Sequence, residues 1–183
     1  METQLKMVAE FYEALGITCR QIMLAEPLHD LMQTAKRLLA DARRIESRLA
    51  SNAEDKRYLR GALSTEEQGE HMYALAVGCD EDAASTEEEK AEARLRYEAL
   101  VLDTLCDAVY VHLGTALTFD LPIVAAFAEV HRSNMSKRKQ STDLTGDRVK
   151  DKGPEFSPPD LVRVIREYRA SQKAKETAAC DAS

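Results

Sequence analysis

The stretch 99–119, ALVLDTLCDAVYVHLGTALTF, contains no Lys, Arg or Glu and carries two formal charges, Asp103 and Asp107. Its composition predicts a helix, and the two carboxylates, four residues apart, project from one helical face. The run has the length of a membrane span. Two aspartates at its middle would each cost roughly 2.5–3.5 kcal/mol on an insertion scale, so a buried core helix is the better expectation. A bare carboxylate is costly to bury unless positive charge meets it. Upstream, STEEQGEHM supplies Glu66, Glu67 and Glu70. Carboxylates facing one another from two helices make an all-oxygen site for a hard divalent cation such as magnesium or manganese. A buried arginine is the alternative partner for either aspartate.

The rest of the chain supports an all-α class. Its 183 residues suit one well-packed domain, taken as 1–170, with 171–183 expected to be a disordered tail. Gly totals 7, Pro totals 5, and no stretch alternates with period two. A net charge of −7 argues against a nucleic-acid binder, which needs a basic face. Cys19, Cys79, Cys106 and Cys180 form neither a C-x-x-C pair nor a zinc spacing with histidine. Cys106, inside the apolar run, reads as a small core residue. With no N-terminal signal in view, these thiols fit a reducing, cytoplasmic compartment, free of membrane.

Periodicity predicts the other helices. The first runs over about 4–15, with Val8, Phe11, Tyr12 and Leu15 on one stripe and Gly16 as its stop. After a connector ending at Pro27 comes 28–49, whose apolar positions recur at three and four while Lys36, Arg37, Arg43, Arg44 and Arg48 lie outside. Over 55–77 the stripe Leu59, Leu63, Glu66 or Glu67, Glu70, Ala74, Val77 sets the glutamates in line with core residues. A loop follows at 78–82, and Thr86 with Glu89 forms a capping-box signature ahead of a long helix 87–118. Asp120-Leu121-Pro122 makes a tight junction before a helix over 122–134. The polar stretch 138–157 reads as a mobile loop, and Pro158-Pro159-Asp160 opens a short last helix to about 169.

An E-E-x-x-E on a helix is ordinarily a solvated face. Alignment with the apolar stripe, and two aspartates in the most apolar helix, favour metal binding here, since Asp suits a helix interior poorly. The run Glu87-Glu88-Glu89 sits where it complements a helix dipole and is assigned no chemistry. His71 and His112 read as structural, because neither is preceded by the Glu-x-x-His of di-iron bundles. No phosphate-loop, nucleophile-elbow or H-E-x-x-H motif occurs. The basic segment HRSNMSKRK, 131–139, followed by Lys150 and Lys152, has two readings: a solvated helix end, or a surface for an anionic, phosphate-bearing substrate.

Taken in order, these elements resemble the all-α nucleoside-triphosphate pyrophosphohydrolases, the MazG/HisE-like superfamily, and especially its phage branch of phosphoribosyl-ATP pyrophosphohydrolase-like proteins. The resemblance is carried by Glu66-Glu67-x-x-Glu70, by Asp103-x-x-x-Asp107 with Gly114-Thr115-Ala116, by HRSNMSK from His131 to Lys137, and by Lys152-Gly153-Pro154 with Pro158-Pro159-Asp160-Leu161. It departs at position 104, a Thr where family members commonly carry the Glu of Glu-x-x-Asp, so Asp103 takes that role. The helix 28–49 is also longer than the usual connection.

The resemblance implies magnesium-dependent hydrolysis of a (deoxy)nucleoside triphosphate to monophosphate and pyrophosphate. Glu67, Glu70, Asp103 and Asp107 would hold the metal, manganese being able to substitute, and Glu66 would be a further ligand or the base orienting water. Catalytic weight falls on Glu66, Glu67, Glu70 and Asp107; Arg132, Asn134, Lys137 and Lys152 would bind substrate. A homodimer or homotetramer is implied, with the site completed by a neighbour. Likeness to the MazZ subgroup leans the substrate to dGTP or GTP; the alternatives are dUTP or dCTP, phosphoribosyl-ATP, or a non-catalytic helical oligomerisation module.

Overall fold

The computed structural model describes residues 1–14, 28–52, 54–79, 84–137 and 154–181. Gly16, Cys19, Pro27, most of the 78–82 loop, 138–153 and Lys152 lie outside them. Among the described residues the secondary structure is helical, without a strand: α1 (Glu2–Ala14), α2 (His29–Glu46), α3 (Lys56–Val77), α4 (Glu87–Thr118), α5 (Ile123–Met135) and α6 (Leu161–Asp181). The helices fall into two compact units, Ile22–Asp120 and Met1–Gln21 with Leu121–Ser183.

In the first unit α3 packs against α2 on one side and α4 on the other. Asp55 caps α3, its carboxylate accepting from the Arg57 N–H at 3.0 Å. The capping box of α4 forms as expected: Thr86 Oγ1 accepts from the Glu89 N–H and Glu89 Oε2 from the Thr86 N–H, each at 3.1 Å. Helices α2 and α3 run antiparallel, with the Leu28 N–H donating to the Ala76 carbonyl at 2.9 Å. The residues that α2 buries are alanines, Ala35 and Ala42, and α3 answers with Ala62, Gly69, Ala74 and Ala76. Small side chains let two helix axes approach closely.

Gly69 marks a close approach of α2 to α3. A Cβ there would lie 2.9 Å from Leu39 Cγ and 3.2 Å from the Leu39 backbone nitrogen. In an open helix Gly→Ala gains about 1 kcal/mol. Overpacking costs roughly 1–3 kcal/mol, and here it should prevail, so Gly69→Ala is expected to lower the urea midpoint. A higher midpoint would mean that the α2–α3 seam has slack.

Helix α4 does not conform to its expectation. It runs over the predicted residues, yet it buries only Tyr97, Val101, Thr104, Val111 and Ala116, a stripe set against α3. Leu95, Leu102, Leu105, Val109, Leu113 and Leu117 are exposed, and so is Cys106, which is therefore not a core residue. Among the described residues of its unit the main helical neighbour of α4 is α3, and one neighbour covers one stripe. By length and composition α4 could also cross a membrane; 22% of its most apolar window is buried.

In the second unit α5 lies beside α1 and α6. His131 Nε2 stands 3.4 Å from the Glu10 carboxylate of α1. Glu129 of α5, 7% exposed, accepts from Arg132 at 2.8 and 2.9 Å and from the Asp160 N–H at 2.8 Å. Arg132 also donates to the Pro158 carbonyl at 3.1 Å, and Asp160 Oδ1 caps α6 by accepting from the Arg163 N–H at 2.9 Å. The Arg132 side chain, the Asp160 N–H and the Arg132 and Arg163 charges hold the Glu129 carboxyl down to about 2. The HRSNMSK and PPDL segments are thus tied together through Glu129. Helix α6 continues to Asp181, so 171–181 is helical and not the disordered tail expected; its Ala, Lys, Glu and Gln content favours a helix there.

Candidate metal centre

The α3–α4 seam brings the two acidic clusters together. Three antiparallel contacts register the helices. Tyr97 donates its hydroxyl to the Leu75 carbonyl at 3.4 Å, His71 Nδ1 lies 3.0 Å from Thr104 Oγ1, and Arg60 lies against Gly114. Between the last two contacts, on the same face of α3 as His71, sits Glu67.

Glu67 is half-buried, and its Oε2 is fully buried with no hydrogen-bond partner. Burial raises its carboxyl above the ordinary range, and the charges of Glu70, Asp107 and Glu66 raise it further. Glu70, more open to solvent, is raised by what burial it has and then by Glu66, Asp107 and Asp103. Asp107 acts on both glutamates from the facing helix, so the carboxylates that the sequence singled out do share one neighbourhood. Asp103 and Asp107 are exposed in it. Glu66 is exposed as well and edges a hollow of about 40 Å³ against Ala42, Arg43 and Glu46 of α2 and Leu49 beyond its end.

Among the described residues no three Asp, Glu, His or Cys side chains converge into a group that could hold a metal ion. Coordination by these residues would require rotamer changes that bring their oxygens to one point. The donor set itself fits a hard divalent cation. It is all oxygen, and a buried acceptor without a donor is what a cation or a proton would satisfy.

Thr104 explains the departure at its position. It is 6% exposed and turned into the seam, where its hydroxyl meets His71 and the Val101 carbonyl. An acid there would face His71 across the seam; one residue earlier, Asp103 points outward and meets Glu70 by charge alone. His71 thus has the structural task expected of it, and His112 is exposed.

Of the expected substrate-binding residues, Arg132, Asn134 and Lys137 belong to the other unit, and Lys152 lies outside the described residues. Arg132 is engaged by Glu129 and Pro158, and Lys137 bonds Asn134 Oδ1. A groove of about 590 Å³ between α5 and α6 has its main charges already paired, Arg163 with Glu167 at 2.9 Å and Arg132 with Glu129 at 2.8 Å. Sequence reading passed over Arg60 and Glu129. Arg60 had a signal, standing seven residues before Glu67 on the same helical face.

No family model matches this chain, and no curated protein or solved structure shows significant similarity to it.

Proposed function

We propose that the chain is a magnesium-dependent nucleoside triphosphate pyrophosphohydrolase, cleaving a (deoxy)nucleoside triphosphate to monophosphate and pyrophosphate, with dGTP or GTP favoured. The observation that carries this reading is the meeting of Glu67 and Glu70 with Asp103 and Asp107 across one helix seam, with Glu67 Oε2 buried and unpartnered. The sequence resemblance to MazG/HisE-like enzymes supplies the reaction. Glu67, Glu70, Asp103 and Asp107 are the proposed ligands. Bound there, magnesium would bind phosphate oxygens and lower the pKa of an attacking water. Glu66, beside the cluster but open to solvent, is the candidate base that orients the water. Phosphate contacts by Arg132, Asn134, Lys137 and Lys152 rest on the sequence resemblance alone, and Arg132 is engaged by Glu129. A cytoplasmic setting, in a host cell if the chain is phage-encoded, belongs to the same reading.

The test is a nucleotide panel with magnesium, products resolved by chromatography. Monophosphate and pyrophosphate are expected, fastest with dGTP or GTP. Release of inorganic phosphate would refute the cleavage position, and inert substrates throughout would refute the enzyme.

A second reading, a non-catalytic helical oligomerisation module, is favoured by the exposed apolar residues of α4. Self-association is common to both readings, because a second copy laid along Leu102, Leu105 and Val109 would remove that surface from water. Leu102→Glu should convert a dimer or tetramer to monomer in sedimentation. A monomeric wild type would contradict this.

A further inference from the structure

We propose that Arg60 is the phosphate-binding residue of the α3–α4 site, so that the site takes a metal-complexed polyphosphate and not a metal ion alone. The inference rests on the carboxylate reading above and deepens it. Arg60 is half-buried on α3, its Nε is fully buried, and among the described residues neither a hydrogen bond nor a carboxylate satisfies it. Its guanidinium lies over α4 at Gly114, where a Cβ would stand 2.6 Å from Nη1. A glycine inside a long helix costs about 1 kcal/mol relative to alanine, and here the missing side chain is what admits the guanidinium.

The charges of this seam are unbalanced in a particular way. At one level stand Glu67, Glu70, Asp103 and Asp107, and the neighbouring acids raise the cost of ionising Glu67 and Glu70. Seven residues before Glu67, about 10 Å along the helix, stands a cation without an anion. Two of the three buried unpartnered polar atoms among the described residues, Glu67 Oε2 and Arg60 Nε, belong to this seam. A bare metal ion would satisfy the carboxylates and leave Arg60 unpaired. A bare phosphate would suit Arg60 and be repelled by the acids. A polyphosphate carrying a divalent cation presents positive charge to the carboxylates and negative charge to the guanidinium, whose planar fork matches phosphate oxygens.

The experiment is calorimetric titration of the full chain, first with manganese alone, then with inorganic tripolyphosphate in the presence of manganese. Wild type, Arg60→Gln and Gly114→Ala are expected to take up manganese alike. Arg60→Gln should bind manganese tripolyphosphate at least tenfold more weakly, Arg60→Lys should recover part of the loss, and Gly114→Ala, which keeps the arginine but displaces it, should weaken binding severalfold. If wild type takes up manganese and both Arg60→Gln and Gly114→Ala bind tripolyphosphate as wild type does, Arg60 has no such role while the metal site stands. If wild type takes up no manganese, the carboxylate reading fails and this proposal with it. Should Arg60→Gln not fold, Gly114→Ala decides alone, because alanine strengthens the helix locally: unchanged affinity overturns the assignment.

Discussion

On the proposed function, Asp107→Asn is expected to remove pyrophosphate release almost entirely, by about 100-fold or more in kcat, since a metal-held charge would contribute several kcal/mol to such a transition state. Asp107 is chosen because its charge reaches both Glu67 and Glu70 from the facing helix. The same substitution should act on stability in the opposite direction. Both glutamates are raised above their unfolded values, so the folded state holds protons more tightly. Stability is then greatest below the unfolded value of about 4.5 and falls as pH rises through the folded values. Removing the Asp107 charge relieves part of that repulsion. The metal-free variant at pH 7 should therefore have a higher urea midpoint than metal-free wild type, and magnesium should raise the midpoint of wild type only. A variant that turns over nucleotide at the wild-type rate would remove Asp107 from the site. One that is less stable without metal would show that the carboxylates do not repel one another as described.

Tyr97→Ala should produce the largest loss of stability, roughly 3 kcal/mol or more, because an aromatic side chain leaves a void that a two-helix contact cannot close. Tyr97 is 8% exposed and packs with Ala74, Cys79 and Val101, where α3 meets the first half of α4. Its hydroxyl reaches the Leu75 carbonyl at the long distance of 3.4 Å, so Tyr97→Phe should cost no more than about 1 kcal/mol. Urea titration followed by helical circular dichroism separates the two. Near-equal midpoints for both variants would mean that the hydrogen bond, and not the ring, holds this end of the seam. Because α4 is fixed to α3 here and at His71–Thr104, the void should also misalign Asp103 and Asp107 and lower metal uptake.

Much of this was legible in the chain, for identifiable reasons. The Thr86/Glu89 capping box and the bounds 87–118 of α4 follow from local chemistry, which neighbours in sequence decide among themselves. The partnership of Glu67 with Asp107 could be suspected because each acid lies near an apolar stripe, and apolar stripes are where helices meet. The tail after 169 is less legible: its polarity resembles a disordered segment, but its residues are strong helix formers and α6 carries on through them. The exposure of α4 is hidden in the sequence for a different reason. Hydropathy counts apolar side chains and cannot say how many neighbours a helix will have.

The order and type of the helices, their caps and the choice of acidic residues were determined by the sequence alone, because each depends on contacts a few residues long. Tertiary structure decided which acid faces which, that Thr104 and not Asp103 fills the seam, that Gly69 and Gly114 are points of close approach, and that among the described residues Arg60 stands without an anion. Those outcomes depend on the register of one helix against another. Register is set by the sum of many packing contacts along the whole seam, which no local pattern contains.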